Sequence, residues 1–113
     1  NLIDVTVTAV AEGRASVAIG PASVSLPARG LPAGPARVAI RPESLLLTGQ
    51  AGPGSLPGTV RKCAYLGNHL DLMVETQVGE LFVVQYGHHP MLAAGTPVNL
   101  TLAGSGVTLI PPN

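Results

Sequence analysis

His88-His89, Cys63 and the carboxylates Asp71 and Glu75 are the side chains here whose types could do chemistry. Two imidazoles offer two metal-ligating nitrogens. Neighbours on an extended chain point to opposite faces, however, so the two share an ion only where the chain kinks. No Cys or Asp sits near them at ligand spacing, and they read as solvated histidines in a turn before Pro90. Cys63 stands beside Arg61 and Lys62, cationic neighbours of the kind that make a cysteine nucleophilic. No histidine base is placed next to it by sequence, so a small half-buried residue is expected. Asp71 and Glu75 fall four residues apart on an alternating segment, about 13 Å at ~3.3 Å per residue. That is too far for a carboxylate pair to share acid–base work, and they read as a solvated face.

Several chemistries lack their sequence signature. There is no G-x-x-x-x-G-K-[ST] phosphate loop and no G-x-S-x-G nucleophile elbow. The glycines at 52, 54 and 58 do not fit G-x-G-x-x-G and precede no helix. No catalytic, cofactor-binding or metal site is assigned, and the chain is not expected to be an enzyme by itself. Six Lys and Arg balance six Asp and Glu, and only three residues in a hundred are aromatic. Nucleic-acid binding, which needs a basic groove and stacking aromatics, is therefore not expected.

The elements that must carry these residues are short strands. Val5-Thr6-Val7-Thr8-Ala9-Val10 alternates apolar and polar, as a half-buried strand does. Ala15 to Ile19 and Ser23 to Leu26 repeat the pattern around a Gly20-Pro21 turn. Pro27 to Pro35 is a loop by its prolines and glycines. Arg37 to Arg41 alternates until Pro42, which has no N–H to give a neighbouring strand, and Ser44 to Thr48 resumes an extended run. His69 to Glu75 has the cleanest alternation, with Leu70, Leu72 and Val74 inward. Gln77-Val78-Gly79 joins it to Glu80 through Tyr86 as a hairpin. Pro97 to Leu102 and Val107 to Ile110 close the chain. The one place for helix is Pro90 to Ala94, with room for a single turn.

About ten short strands at this spacing predict an all-β, OB-fold-like barrel or barrels in two lobes. The lobes are expected at 1–48 and 59–113, joined by a charge-free connector at 49–58. The 113 residues are enough for one domain, and an opening at Asn1 without methionine is expected of a piece of a longer protein. Charged residues are 11% of the chain against roughly 25% for ordinary soluble domains. So weak a surface charge protects poorly against self-association, which favours a dimer or a partner contact. A single cysteine forms no internal disulfide and fits a reducing compartment. No apolar run approaches the roughly 20 residues that span a bilayer. Asn99-Leu100-Thr101 fits the N-glycosylation pattern, with nothing else pointing to secretion.

Val38-Ala39-Ile40-Arg41-Pro42-Glu43-Ser44-Leu45-Leu46-Leu47 resembles the "v-x-I-R-P-E-x-l-x-l" signature of the TOBE (transport-associated OB) domain. That domain follows the nucleotide-binding domain in importer ATPases of the spermidine/putrescine, ferric-iron and maltose type. Asn1-Leu2-Ile3 resembles the segment that opens the family's regulatory region. Gly58-Thr59-Val60 with Tyr65-Leu66-Gly67 resembles "G-x-V-x-x-x-x-x-L-G", and Leu92 to Leu102 resembles "l-x-x-G-x-x-V-x-l". Pro111-Pro112 departs from the pattern, since family members often place an aromatic there.

The resemblance implies a non-catalytic regulatory and dimerisation domain of an ABC importer's ATP-binding subunit. Its partners would be its own copy, the ATPase domain of the same chain and the membrane permease. It would lie in the cytoplasm, peripheral at the inner face of a bacterial plasma membrane. It would need no cofactor itself, with Mg-ATP held by the preceding domain. Arg41, Pro42, Glu43 and Gly67 are the motif residues and candidate partner contacts. Arg41 and Glu43, two apart on an extended chain, can point the same way and form an ion pair or grip a partner. The rival reading is a small-oxyanion, molybdate-like binding module, with Thr59, Lys62 or Ser105 as donors.

Overall fold

The computed structural model describes residues 1–113 as ten antiparallel strands in two curled, five-stranded sheets, an OB-fold-like all-β architecture. The first five elements are β1 (Leu2–Ala11), β2 (Arg14–Ile19), β3 (Ala22–Pro27), β4 (Gly34–Ile40) and β5 (Leu45–Thr48). The rest are β6 (Leu56–Tyr65), β7 (His69–Thr76), β8 (Gly79–Tyr86), β9 (Pro97–Leu102) and β10 (Val107–Ile110). One sheet runs β10-β4-β1-β2-β3 and the other β5-β9-β6-β7-β8.

Alternation built these strands as the sequence predicts. Leu70, Leu72 and Val74 of β7 are fully buried, as are Val60 and Val83 of the strands on either side. Twenty-two buried side chains, all Val, Leu, Ile or Ala, form one cluster fed by both sheets. At about 25 cal/mol per Å² of apolar area, many small side chains do here what a few aromatics do in other cores.

The division into lobes 1–48 and 59–113 is corrected by the strand pairing. β5 belongs to the second sheet, where Leu45↔Leu102 to Thr48↔Asn99 pair it with β9. β10 returns to the first sheet and pairs with β4 from Val107↔Ile40 to Ile110↔Arg37. The chain therefore crosses between the sheets twice, where a two-lobe chain would cross once, and β6 starts at Leu56, inside the expected connector. No helix forms at Pro90 to Ala94. The single helical element is a 3₁₀ turn at Pro42–Ser44, with Pro42 at its first position. Proline suits that position because its φ is preset and its missing N–H would be unpaired there anyway. No helix is long and apolar enough to cross a membrane.

A β-bulge interrupts β6. Its pairing with β7 passes from Val60↔Val74 directly to Lys62↔Met73, leaving Arg61 as the extra residue. The bulge reverses the phase of the strand. Strict alternation from the buried Val60 would turn Lys62 inward and Cys63 outward. Instead Lys62 is exposed, and Cys63 stands opposite the buried Leu72 on the inner face.

Asn1 ties the two sheets together. Its main chain exchanges hydrogen bonds with Ile40 at the end of β4. Its carboxamide pairs with the free edge of β8, accepting from Phe82 N–H at 2.8 Å and donating to Phe82 C=O at 2.9 Å. One side chain thus replaces a missing strand at that position.

Candidate functional site

Arg41-Pro42-Glu43 forms a corner between the sheets. β4 ends in the first sheet, the 3₁₀ turn carries the chain across, and β5 begins in the second. The link from β9 to β10 makes the reverse crossing alongside. Three hydrogen bonds stitch the crossings: Arg41 N–H to Gly106 C=O at 2.9 Å, Ala103 N–H to Ser44 C=O at 2.8 Å, and Ser44 Oγ–H to Ser105 C=O at 2.8 Å. Ser44 is 4% exposed, so its hydroxyl must be satisfied inside the protein, and it is. The backbone and Ser44 do this structural work.

The charged side chains take no part in it. Because residues 42–44 form a 3₁₀ turn, Arg41 and Glu43 do not project together as on an extended chain, and of the two options an ion pair between them does not form. Both are exposed. Arg41 lines an open groove with Asn1, Pro42, Gly106 and Thr108, and its guanidinium has no carboxylate partner. Gly67 lies elsewhere, in the three-residue turn between β6 and β7. Its φ of +94° is a conformation glycine adopts without strain, and its C=O accepts from the Tyr65 hydroxyl.

That turn is one corner of a second polar cluster. His69 Nε2 lies 3.2 Å from Asp71 Oδ1, and its Nδ1 lies 2.6 Å from Asn68 Oδ1. Its ring packs at 5.4 Å from Tyr86, its cross-strand partner on β8. The i, i+2 spacing of His69 and Asp71 on an alternating strand already puts them on one face. That two-residue spacing, and not the four-residue spacing of Asp71 and Glu75, carries a contact. Glu75 is engaged instead with Arg61, at 3.3 Å, and Glu80 reaches the same guanidinium at 3.5 Å. All three are about half exposed, so each pair adds at most about 1 kcal/mol.

His88 and His89 are exposed in the loop after β8. His89 Nε2 lies 2.7 Å from Tyr86 C=O, and both histidines line one open cleft with Tyr65, Pro90 and Met91. Cys63 is half-buried, with Sγ 3.9 Å from Met91 Sδ. No three or more His, Cys, Asp and Glu residues converge on one point. Thr59, Lys62 and Ser105 are not brought together either: Thr59 and Lys62 line separate clefts, and Ser105 lies at the Ser44 corner. Asn99 is half-buried in β9, the strand between β5 and β6, rather than in the exposed loop a glycosylation site occupies.

The stitched corner around Arg41-Pro42-Glu43 lies within residues 38–110, which match the family model described as TOBE domain. The chain belongs to the TOBE domain family. Curated relatives of this TOBE chain include a "Fe(3+) ions import ATP-binding protein FbpC" of Brucella abortus, 34% identical over 97% of the chain. Others of that name occur in Agrobacterium fabrum, at 31% over the same share, and in Rhizobium meliloti, at 39% over 73%. The TOBE chain spans 31% of the Brucella and Agrobacterium proteins, so those relatives are about three times its length. Among solved structures it is similar to the cytoplasmic molybdate-binding protein ModG with molybdate bound. The TM-score is 0.74 with 22% identity, over 99% of this chain and 96% of that one. At that identity the likeness extends to the fold.

Proposed function

We propose that this TOBE domain is the non-catalytic regulatory and dimerisation module of an ATP-binding subunit in an ABC import system. The parent would couple ATP hydrolysis to solute uptake. The observation that carries the reading is the 34% identity over almost the whole chain to proteins named as Fe(3+) import ATP-binding proteins. Nucleotide chemistry would belong to the part of such a protein outside these residues, where Mg-ATP would bind. The domain would then work at the cytoplasmic face of the membrane, against its own copy, the ATPase domain and, through the parent, the permease. Its charge-poor surface supports self-association.

The exposed, unpaired Arg41 and Glu43, with the Gly67 turn, are the proposed partner contacts. Since neither charge has an internal partner, the variant Arg41→Ala/Glu43→Ala is expected to keep the melting temperature of the domain within about 2 °C. A drop beyond about 5 °C in a calorimetric scan would mean that the corner needs these charges for itself.

The importer reading is tested by the coding sequence upstream of Asn1. It should encode Walker A, an L-S-G-G-Q signature and Walker B, and a start codon at Asn1 with none of these overturns it. The oxyanion reading has the ModG-like fold in its favour, but its candidate donors share no cleft.

A further inference from the structure

Arg41 and Glu43 carry charges that their corner does not need, and the fold itself supplies the control. The two sheets have the same strand order once the first five strands are exchanged for the last five. That exchange also turns one crossing into the other. Val38↔Leu109 and Ile40↔Val107, between β4 and β10, become Leu100↔Leu47 and Leu102↔Leu45, between β9 and β5. Arg41 N–H to Gly106 C=O, at 2.9 Å, becomes Ala103 N–H to Ser44 C=O, at 2.8 Å. Arg41, Pro42 and Glu43 thus have Ala103, Gly104 and Ser105 as counterparts. The second corner makes the same backbone bond with no charge at all. Both charged side chains of the first are exposed, and neither has an ion-pair partner in its own chain.

We propose that this corner is where the domain meets a second copy of itself, with Arg41 of each copy pairing with Glu43 of the other. This rests on the reading of the domain as a dimerisation module and assigns that module its surface. In a two-fold interface a patch faces itself, so a contact from one residue to another recurs in reverse. A patch that binds its own copy through charge must therefore carry both signs close to the axis. Arg41 and Glu43 meet that condition, standing on either side of Pro42 at one turn. An axis beside Pro42 closes two ion pairs at once and leaves neither charge alone. A partner of a single sign would attract one of the two and repel the other.

The surroundings of the corner favour the contact. Its turn is already fixed, with Pro42 at the first position and Ser44 N–H bonded to Arg41 C=O at 2.9 Å. Little backbone freedom is then lost on docking. The groove that Arg41 lines with Gly106 and Thr108 is open, so a carboxylate from another molecule can reach the guanidinium. Exposed leucines flank the corner on both sheets. Leu2 stands opposite Ala39, two residues before Arg41, and Leu46 lies on β5, three residues after Glu43. Their burial against a second copy is favourable, and apolar contacts around a charge pair exclude the water that weakens it.

The test is sedimentation velocity on the chain and on charge-reversed variants. The native chain is expected to dimerise. Arg41→Glu and Glu43→Arg should each weaken the dimer by about a hundred-fold, because either one creates two like-charge contacts per dimer. The decisive sample is an equimolar mixture of the two variants. One copy then carries two carboxylates at the corner and the other two guanidiniums, so a heterodimer should form at close to native affinity. Arg41→Glu/Glu43→Arg in one chain should restore the homodimer in the same way. Both positions are exposed, so these variants keep the fold, which circular dichroism checks. A native chain that stays monomeric up to about 0.5 mM overturns this surface and the dimerisation reading together. Single variants that dimerise as well as the native chain overturn the surface alone and leave a dimer built elsewhere. So does a mixture of the two weakened variants that forms no heterodimer. None of these results depends on what is encoded upstream of Asn1, so the importer reading stands or falls separately.

Discussion

Gly106→Ala is expected to lower the unfolding free energy by about 3–4 kcal/mol in urea denaturation, at unchanged m-value. A Cβ at residue 106 would lie 2.0 Å from Ser44 Oγ, and 3.2 Å from both Ser44 Cβ and Arg41 Cδ. The hydroxyl has to rotate away, which breaks its bond to Ser105 C=O on a residue that is only 4% exposed. An unsatisfied buried group costs about 1–3 kcal/mol. The φ of +79° at residue 106 adds about 1–2 kcal/mol once a Cβ is present. The two contributions separate in a double-mutant cycle. Ser44→Ala alone should cost about 1–2 kcal/mol through the lost hydrogen bond. In that background Gly106→Ala should cost only the backbone part. Strict additivity of the two substitutions would show that the hydroxyl is not the obstruction.

This corner also shows what a sequence can and cannot carry. Alternation tells which way a side chain faces, and Leu70, Leu72, Val74, Val38 and Ile40 all face the core as their spacing requires. It does not tell which strand lies next door. β10 pairs with β4 across more than sixty residues, and β5 leaves the strand it follows. Nothing in the local pattern of Val107 to Ile110 or Leu45 to Thr48 states that choice. It follows from burying one cluster between two sheets rather than two clusters in two lobes. The 3₁₀ turn was within reach, since a proline followed by an acidic residue is a helix-start signal. Pro42 as a strand breaker alone leaves Arg41 and Glu43 on an extended chain, where an ion pair between them is one option and a grip on a partner the other; the turn removes the first. The bulge at Arg61 leaves no comparable mark. One extra residue shifts the phase and turns Cys63 to the inner face, where it meets Met91, twenty-eight residues away in the chain. Asn1 was legible only as part of a family segment; its grip on Phe82, eighty-one residues away, needed the fold.

Gly58→Ala is the second large effect, at about 2 kcal/mol of destabilisation, and its cause is crowding rather than backbone conformation. Gly58 sits in β6 between Thr76 of β7 and Val98 of β9. A Cβ there would meet Val74 Cγ1 at 2.5 Å, Glu75 C=O at 3.0 Å and Thr76 Cγ2 at 3.1 Å. Val74 is fully buried, so its methyl has little room to turn. The Glu75 carbonyl is fixed in strand β7, which is paired on both edges and moves only by opening its ladders. Overpacking of this kind costs about 1–3 kcal/mol, partly offset by the ~0.5–1 kcal/mol that alanine gains over glycine in a strand. For a domain of this size, thermal unfolding should shift down by about 8 °C. The rescue is specific: Val74→Ala alone leaves a cavity, but combined with Gly58→Ala the new methyl fills part of it, so the double variant should lose less than the sum of the singles. A Gly58→Ala protein as stable as the parent would mean that β6 and β7 can part at this point. The glycine that opens the Gly58-Thr59-Val60 motif would then need another reason than the close approach of Val74.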